Sequence, residues 1–154
     1  MKKKIIGILS IFAILTIVLT ACSNSSWDSI TNNPKTVKSS LQKSLYKKKT
    51  ILVLMDAKCK DCERDRSTII SNVKKARNKG YNVLVFDVRK VDRSGFNYLL
   101  HNIPGVNDRN GIDTPTFVEL RPSSQHHFYV AEQVLHDTAT TRQINEFFES
   151  AGER

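Results

Sequence analysis

Cysteine is scarce in this chain, with three among 154 residues, and this scarcity limits what covalent bonds can hold the fold together. Cys22 lies apart near the amino terminus, which leaves Cys59 and Cys62 as a single close pair. One pair excludes the disulfide-rich class of small secreted domains. A bridge across so short a loop also constrains the unfolded chain very little. A chemical role therefore explains the Cys59–Cys62 pair better than a stabilising one.

Aromatic side chains are missing from the basic segments of the chain. The formal net charge is +9, but the Lys and Arg runs at 47–49, 74–77 and 89–90 contain no interleaved aromatic residue. Proteins that bind single-stranded nucleic acid stack bases on such rings, so we expect no nucleic-acid partner. No internal repeat is visible, and the length supports one domain.

The amino terminus has the pattern of an export signal. Lys2, Lys3 and Lys4 precede an apolar run, Ile5–Leu19, that is shorter than the ~20 residues of a transmembrane helix. The run ends in Leu19-Thr20-Ala21-Cys22, which resembles the bacterial lipobox. The resemblance implies a lipoprotein signal peptide over 1–21 and a lipid on Cys22, and two acyl chains anchor a protein stably. We therefore predict a lipid-anchored protein on the extracytoplasmic face of the cell membrane; an ordinary secretory signal or an uncleaved anchor is the alternative.

Behind the anchor, residues 22–35 are polar and predict a tether between membrane and domain. Trp27 could lie at the membrane interface or cover the edge of the domain, and the sequence leaves both open. The folded domain is predicted over 36–154.

Strands alternate with helices along this domain. The apolar run Ile51–Met55 predicts a strand buried on both faces, and the apolar spacing after it predicts one helix over Cys59–Asn78 that ends at Gly80. Further elements are predicted as a strand over 81–88, a short helix over 96–101, strands over 116–120 and 128–134, and a last helix. Thr140 and Gln143 match a capping box at the start of that last helix. The pattern indicates an α/β domain with a mixed sheet.

The order of these motifs resembles the thioredoxin superfamily. A strand, the CxxC pair Cys59 and Cys62, a long helix, and then Thr114-Pro115 opening a later strand occur in the same order in that family. The resemblance covers nearly the whole domain and implies a thioredoxin-like fold, with a central mixed β-sheet flanked by helices. It also implies a cis bond before Pro115, facing the dithiol.

The resemblance implies thiol-disulfide exchange on protein disulfides. Cys59 is the expected nucleophile, its thiolate favoured by the helix start and by Lys58 and Lys60 and opposed by Asp61. Cys62 is the expected resolving thiol, and the backbone of Thr114 before Pro115 is expected to hydrogen-bond the bound substrate strand. The expected partners are client proteins with thiols or disulfides and a protein that donates or accepts electrons. No cofactor and no metal are expected.

Three departures from the family pattern bear on this interpretation. Lys58 stands where the family usually has Trp, and Lys60-Asp61 replaces the familiar Gly-Pro. The buried acid that serves proton transfer in thioredoxin aligns with Val53; nearby Asp56 is a candidate for that role or a solvated loop residue. The segment 89–112 is longer than a minimal domain needs and either shapes a partner surface or is a flexible insertion.

Two other functions remain open from the sequence. The chain could be a non-catalytic accessory lipoprotein that holds a partner in the groove beside Pro115. Less favoured is a metal site that combines the two cysteines with histidines, since no histidine pair has the usual spacing; the candidates are His101, His126, His127 and His136. The direction of electron flow is also open. A reductase is slightly favoured, because oxidising proteins of this fold usually carry a helical insertion that this short domain cannot hold.

Overall fold

Four strands form one mixed sheet in the order β2-β1-β3-β4. The structure is a computed structural model, and it describes residues 26–44, 46, 49–106, 111–123 and 129–153. The predicted signal peptide, the predicted lipidation site Cys22, and His126 and His127 lie outside these residues. The elements in chain order are α1 (Val37–Ser44), β1 (Thr50–Met55), α2 (Lys60–Arg64), α3 (Arg66–Asn78), β2 (Asn82–Asp87), α4 (Arg93–Asn102), β3 (Thr116–Pro122), β4 (Tyr129–Leu135) and α5 (Thr141–Glu153).

The strand directions follow from the connections between them. β1 and β2 are parallel, because a long crossover through α2 and α3 joins them. β3 runs antiparallel to β1, and β4 antiparallel to β3. All six residues of β1 are buried, as its uninterrupted apolar sequence predicts. This α/β arrangement, a central mixed sheet with helices on both sides, confirms the predicted thioredoxin-like fold class.

Alternate residues of β1 enter two separate cores. Ile51, Val53 and Met55 belong to the core that also contains buried residues of α3 and α5. Leu52 and Leu54 belong to the core on the other face, which contains buried residues of α1 and α4. The first core includes an aromatic contact between Phe117 and Phe147, with ring centroids 5.8 Å apart. The sheet is therefore covered on both faces, which leaves its edges and the strand ends for function.

The helix predicted over Cys59–Asn78 is two helices, and this is a correction. The break falls at Asp65, whose φ of −99° and ψ of 10° depart from helical values. The Asp65 side chain is 2% exposed. Its carboxylate accepts a 2.7 Å hydrogen bond from the Thr141 hydroxyl and pairs with Arg64 at 2.6 Å. These bonds tie the break to the first turn of α5.

The tether predicted for 22–35 needs correction over its described part. Residues 26–36, here called the N-terminal arm, include two short 3-10 turns at Trp27–Ser29 and Pro34–Thr36. Trp27 and Ile30 are buried in the core shared with α3 and α5, 7% and 1% exposed respectively. Burying these two large apolar side chains stabilises the packed arm over an extended one. The arm belongs to the folded unit, and Trp27 covers the edge of the domain.

The capping box at the start of the last helix is confirmed. The Gln143 side chain accepts a 2.9 Å hydrogen bond from the Thr140 N–H, and the Gln143 N–H donates to the Thr140 hydroxyl at 3.3 Å. Within the described residues, no helix has both the length and the apolar character needed to cross a bilayer.

The described part of segment 89–112 packs against the sheet. Its helix α4 is longer than predicted because the Asp92 side chain caps it, accepting a 2.7 Å hydrogen bond from the Gly95 N–H. That N–H is also the main reason why the pKa of Asp92 is lowered. Leu99, Ile103 and Val106 are buried in the second core. This part of the segment is therefore a structural element of the domain.

Candidate functional site

The CxxC pair lies where β1 ends and α2 begins. The apolar run of β1 stops at Asp56, whose carboxylate accepts a 2.7 Å hydrogen bond from the Lys58 N–H and so turns the chain. Cys59 is the N-cap residue of α2, with extended backbone angles of −71° and 131°. Its Sγ accepts a weak 3.5 Å hydrogen bond from the Cys62 N–H. The turn and the cap together place both cysteines at the end of the sheet.

The two cysteines have different surroundings, although both are free thiols. Cys59 is partly exposed, whereas the Cys62 side chain is 0% exposed. Burial raises the pKa of the Cys62 thiol to about 12, against a partial lowering by the Asp56 N–H that lies 3.5 Å from its Sγ. Cys62 is therefore a protonated thiol at neutral pH, and Cys59 is the accessible one of the two.

The backbone of Thr114 faces this pair. The peptide bond between Thr114 and Pro115 is cis, the isomer that the family resemblance implies. The Cys59 thiol donates a 3.1 Å hydrogen bond to the Thr114 carbonyl oxygen. Four of the residues singled out in the sequence are thus brought together from segments more than 50 positions apart.

A neighbouring hydrogen-bond chain at the start of β3 escaped the sequence analysis. The Thr116 hydroxyl donates to the Asp113 carbonyl oxygen at 2.7 Å. Its single proton is used in that bond, so its oxygen accepts from the Nδ1–H of His136, 3.3 Å away. This contact favours the form of His136 that carries a proton on Nδ1. Only the pairing of Phe117 with Leu135 in the sheet could have revealed it, because Thr116 and His136 are 20 positions apart.

Asp56, the candidate for proton transfer, approaches the dithiol through its backbone. Its N–H points at the Cys62 sulfur, whereas its carboxylate bonds the Lys58 N–H and lies 3.9 Å from the Arg89 Nε. The proton-transfer role of this carboxylate stays a prediction. Val53, at the position of the thioredoxin acid, is fully buried in apolar surroundings.

A buried acid that the sequence did not reveal, Glu119, lies further along β3. Glu119 is 0% exposed, and its carboxylate pairs with Lys49 at 3.6 Å. Lys49 also donates to the Ala151 carbonyl oxygen at 3.3 Å. Glu119 is opposite Ile51 in the sheet, whereas Val53 is opposite Phe117, so Glu119 lies further from the dithiol than Val53 does.

In the described part of the chain, the histidines considered as possible metal ligands form no metal site. Among those residues, no three His, Cys, Asp or Glu side chains are grouped as metal ligands. His136 contacts Thr116, and His101 lies in the last turn of α4. The metal alternative also invoked His126 and His127, which are outside the described residues.

Comparisons with known proteins add a structural similarity. No protein-family model matches the sequence, and neither does any curated protein. A similar solved structure is the germline-specific thioredoxin Deadhead of Drosophila melanogaster, at 20% sequence identity and a TM-score of 0.45. The match covers 70% of this chain and 85% of that one.

Proposed function

We propose that this protein is a membrane-anchored, extracytoplasmic thiol-disulfide oxidoreductase that acts on protein disulfides through Cys59 and Cys62. The observation that carries the proposal is the unequal pair of thiols beside the Thr114 carbonyl. One thiol is accessible and hydrogen-bonded at 3.1 Å to that carbonyl, and the other is buried one helical turn away. This is the asymmetry that sequential attack and resolution require.

The exchange proceeds in two balanced steps. The Cys59 thiolate attacks one sulfur of a client disulfide, so a mixed disulfide forms and the other client sulfur leaves as a thiolate. Cys62 then attacks the Cys59 sulfur and its proton passes through solvent to a client thiolate, which releases the client as a dithiol and leaves a Cys59–Cys62 disulfide. Two electrons pass to the client, and the reverse sequence oxidises it. The Asp56 N–H, 3.5 Å from the Cys62 sulfur, supports the thiolate in the second step.

The anchor is a separate part of the proposal, and it rests on the sequence. The lipobox pattern that ends in Cys22 supports lipidation and an extracytoplasmic location. The remaining two cysteines then form the redox pair. The direction we propose is reduction of client disulfides, with electrons supplied by a donor protein.

One observation favours a second candidate, a lipoprotein that holds its partner without turnover. The pKa of Cys62 is raised to about 12, and Val53 offers no carboxylate to remove its proton. Slow resolution would leave partners held as mixed disulfides. In that case the groove beside Pro115 serves to hold the partner, and the partner is not released.

The deciding experiment measures the reduction potential of the pair, by equilibration with glutathione or dithiothreitol, on the chain lacking residues 1–22. A reductase requires a value near or below the roughly −270 mV of thioredoxin. A markedly more oxidising value would assign disulfide formation or isomerisation instead. A pair that forms no bridge at all would refute the redox function.

Insulin reduction separates turnover from holding. We expect the Cys59→Ser variant to lose all activity and the Cys62→Ser variant to accumulate a mixed disulfide with insulin. Mixed disulfides that persist equally in the unaltered protein would support the holding function.

A further inference from the structure

The N-terminal arm enters the fold at the same end of the sheet as the dithiol. The Trp27 Nε1–H donates a 2.7 Å hydrogen bond to the carboxylate of Glu63, the residue that follows Cys62. Asp28 lies 3.7 Å from the Nζ of Lys90, just beyond the end of β2. The first described residue, Ser26, therefore lies beside α2, the helix whose N-cap residue is Cys59.

Further along, the arm is fixed to the outer edge of the sheet. The Asn32 N–H donates to the Val85 carbonyl at 2.7 Å, and the Val85 N–H donates to the Asn32 side chain at 2.8 Å. Arg77 donates to the same Asn32 oxygen at 3.1 Å. With Trp27 and Ile30 buried, these bonds hold the arm in one position. The point where the chain enters the domain is therefore fixed relative to the dithiol.

The distance from the anchor to this entry point is short, whatever path the chain takes. Cys22 and Ser26 are four residues apart, which spans at most about 14 Å of fully extended chain. Glu63, which Trp27 contacts, is four residues from Cys59, a helical rise of ~6 Å. Once the side chains of Trp27 and Glu63 that join these two segments are included, a lipid on Cys22 would hold the dithiol on the order of 35 Å from the headgroups at most.

The basic residues beside Cys59 favour such an orientation, whereas the exposed carboxylates of Asp28 and Asp61 at the same end oppose it. Lys58 and Lys60 flank Cys59, and both are exposed. Each Lys near an anionic leaflet gains about 1 kcal/mol. The position of the dithiol near the membrane therefore rests on the short chain between Cys22 and Ser26, and Lys58 and Lys60 assist it.

We propose that the disulfide exchanged with Cys59 and Cys62 is carried by a partner held in the same membrane and presented close to its surface. This inference rests on the proposed function, including the lipid on Cys22. The chemistry is the exchange given above: the partner's S–S bond breaks, the Cys59–Cys62 bond forms, and two electrons pass to the partner. The arm keeps the dithiol near the bilayer. A partner held in the membrane therefore meets the dithiol more often than a client that diffuses freely in solution.

The test uses the full lipidated chain, reduced and then freed of reductant, in vesicles of phosphatidylglycerol and phosphatidylcholine. One probe is a dye joined by a disulfide and a short spacer to phosphatidylethanolamine in the same vesicles. The other is the same dye joined by a disulfide to glutathione in solution. Dye release in a single turnover gives an initial rate for each probe, and the ratio of the two rates is the readout.

A flexible insertion between the anchor and the arm lengthens the distance from the membrane to the domain and leaves the dithiol itself unchanged. We expect forty Gly and Ser residues inserted between Ser25 and Ser26 to lower the rate on the lipid probe about tenfold, because the dithiol then samples a far larger volume. The rate on the glutathione probe should not change. The matched control carries the same forty residues after Arg154, and its ratio should equal that of the unaltered chain.

Each other outcome has a distinct meaning. An insertion that leaves the ratio unchanged would overturn the membrane-held partner, while activity on the glutathione probe would leave the redox function standing. No release from either probe would refute the redox function itself. A chain that does not sediment with vesicles would refute the anchor and this inference together.

Discussion

Two polar clusters on strand β3 differ in how their buried groups are satisfied. At its start, Thr116 lies in a chain of hydrogen bonds that runs from His136 to the Asp113 carbonyl, next to the bond between Cys59 and Thr114. Three residues further on, Glu119 is fully buried, and among the described residues neither of its carboxylate oxygens has a hydrogen-bond partner. Its compensation is the Lys49 ammonium at 3.6 Å.

The two clusters also differ in their distance from the dithiol. Hydrogen bonds at the start of β3 fix the backbone that faces the dithiol. Glu119 lies about 10 Å further along the strand, at ~3.4 Å per residue. A buried ion pair contributes little net stability, but the loss of one partner is costly. We therefore expect the first cluster to affect the redox reaction and the second to affect folding.

The largest effect is expected at the Glu119 cluster. Lys49→Met removes the cation and should lower the free energy of unfolding by about 2–3 kcal/mol, below the full cost of breaking a buried pair because Lys49 is 21% exposed. Urea unfolding measures this change. Insulin reduction per folded molecule should stay as in the unaltered protein.

The double variant Lys49→Met/Glu119→Leu is the matched control. It removes both charges, so most of the lost stability should return. A double variant as unstable as the single one would show that Lys49 acts by packing, through its stem or its bond to Ala151, and not by compensating the charge of Glu119.

An intermediate effect is expected from pH at the dithiol. The folded state raises the pKa of Cys62 from an ordinary 9.0 to about 12, so below pH 9 both states keep the thiol proton. As pH rises from 9 towards 12, only the unfolded state loses it, and the reduced protein should lose at most about 1.4 kcal/mol of stability per pH unit.

Urea unfolding of the reduced protein between pH 8 and 10.5 tests this dependence. The Cys62→Ala variant serves as the reference for all other groups that titrate there, and its stability should fall less steeply. Equal slopes in the two proteins would contradict a buried, protonated Cys62.

The smallest effect is expected at Thr116. Thr116→Val keeps the shape but removes the hydroxyl, which leaves the Asp113 carbonyl without this donor, at a cost of about 1 kcal/mol in unfolding free energy. Because that carbonyl adjoins Thr114, insulin reduction should also slow, by a few-fold. Thr116→Ser keeps the hydroxyl and should restore the rate. A Thr116→Val variant with full activity would show that this cluster does not affect the redox reaction.

The sequence predicted the elements whose signals are local. The apolar run of β1, the CxxC pair that follows it, and the capping box at Thr140 were all read correctly, because each depends on a few adjacent residues. The fold class followed from their order. The cis bond before Pro115 came from the family resemblance alone.

Features that depend on distant partners were missed. The break at Asp65 is stabilised by Thr141, which lies 76 positions away, so the helical periodicity does not predict the break. The polar composition of the N-terminal arm predicts a tether, whereas two of its side chains, Trp27 and Ile30, are buried in the core. The polar chain from Thr116 to His136 exists only because β3 and β4 pair.

The hydrogen bond between Trp27 and Glu63 has an optical consequence. Trp27 is the only tryptophan in the chain, so all indole fluorescence comes from one place. That place adjoins the helix whose first turn holds both cysteines, and the indole N–H is bonded to the residue after Cys62. The protein thus carries its own spectroscopic probe beside the dithiol, and stopped-flow emission can follow both redox exchange and the release of the arm without an added label.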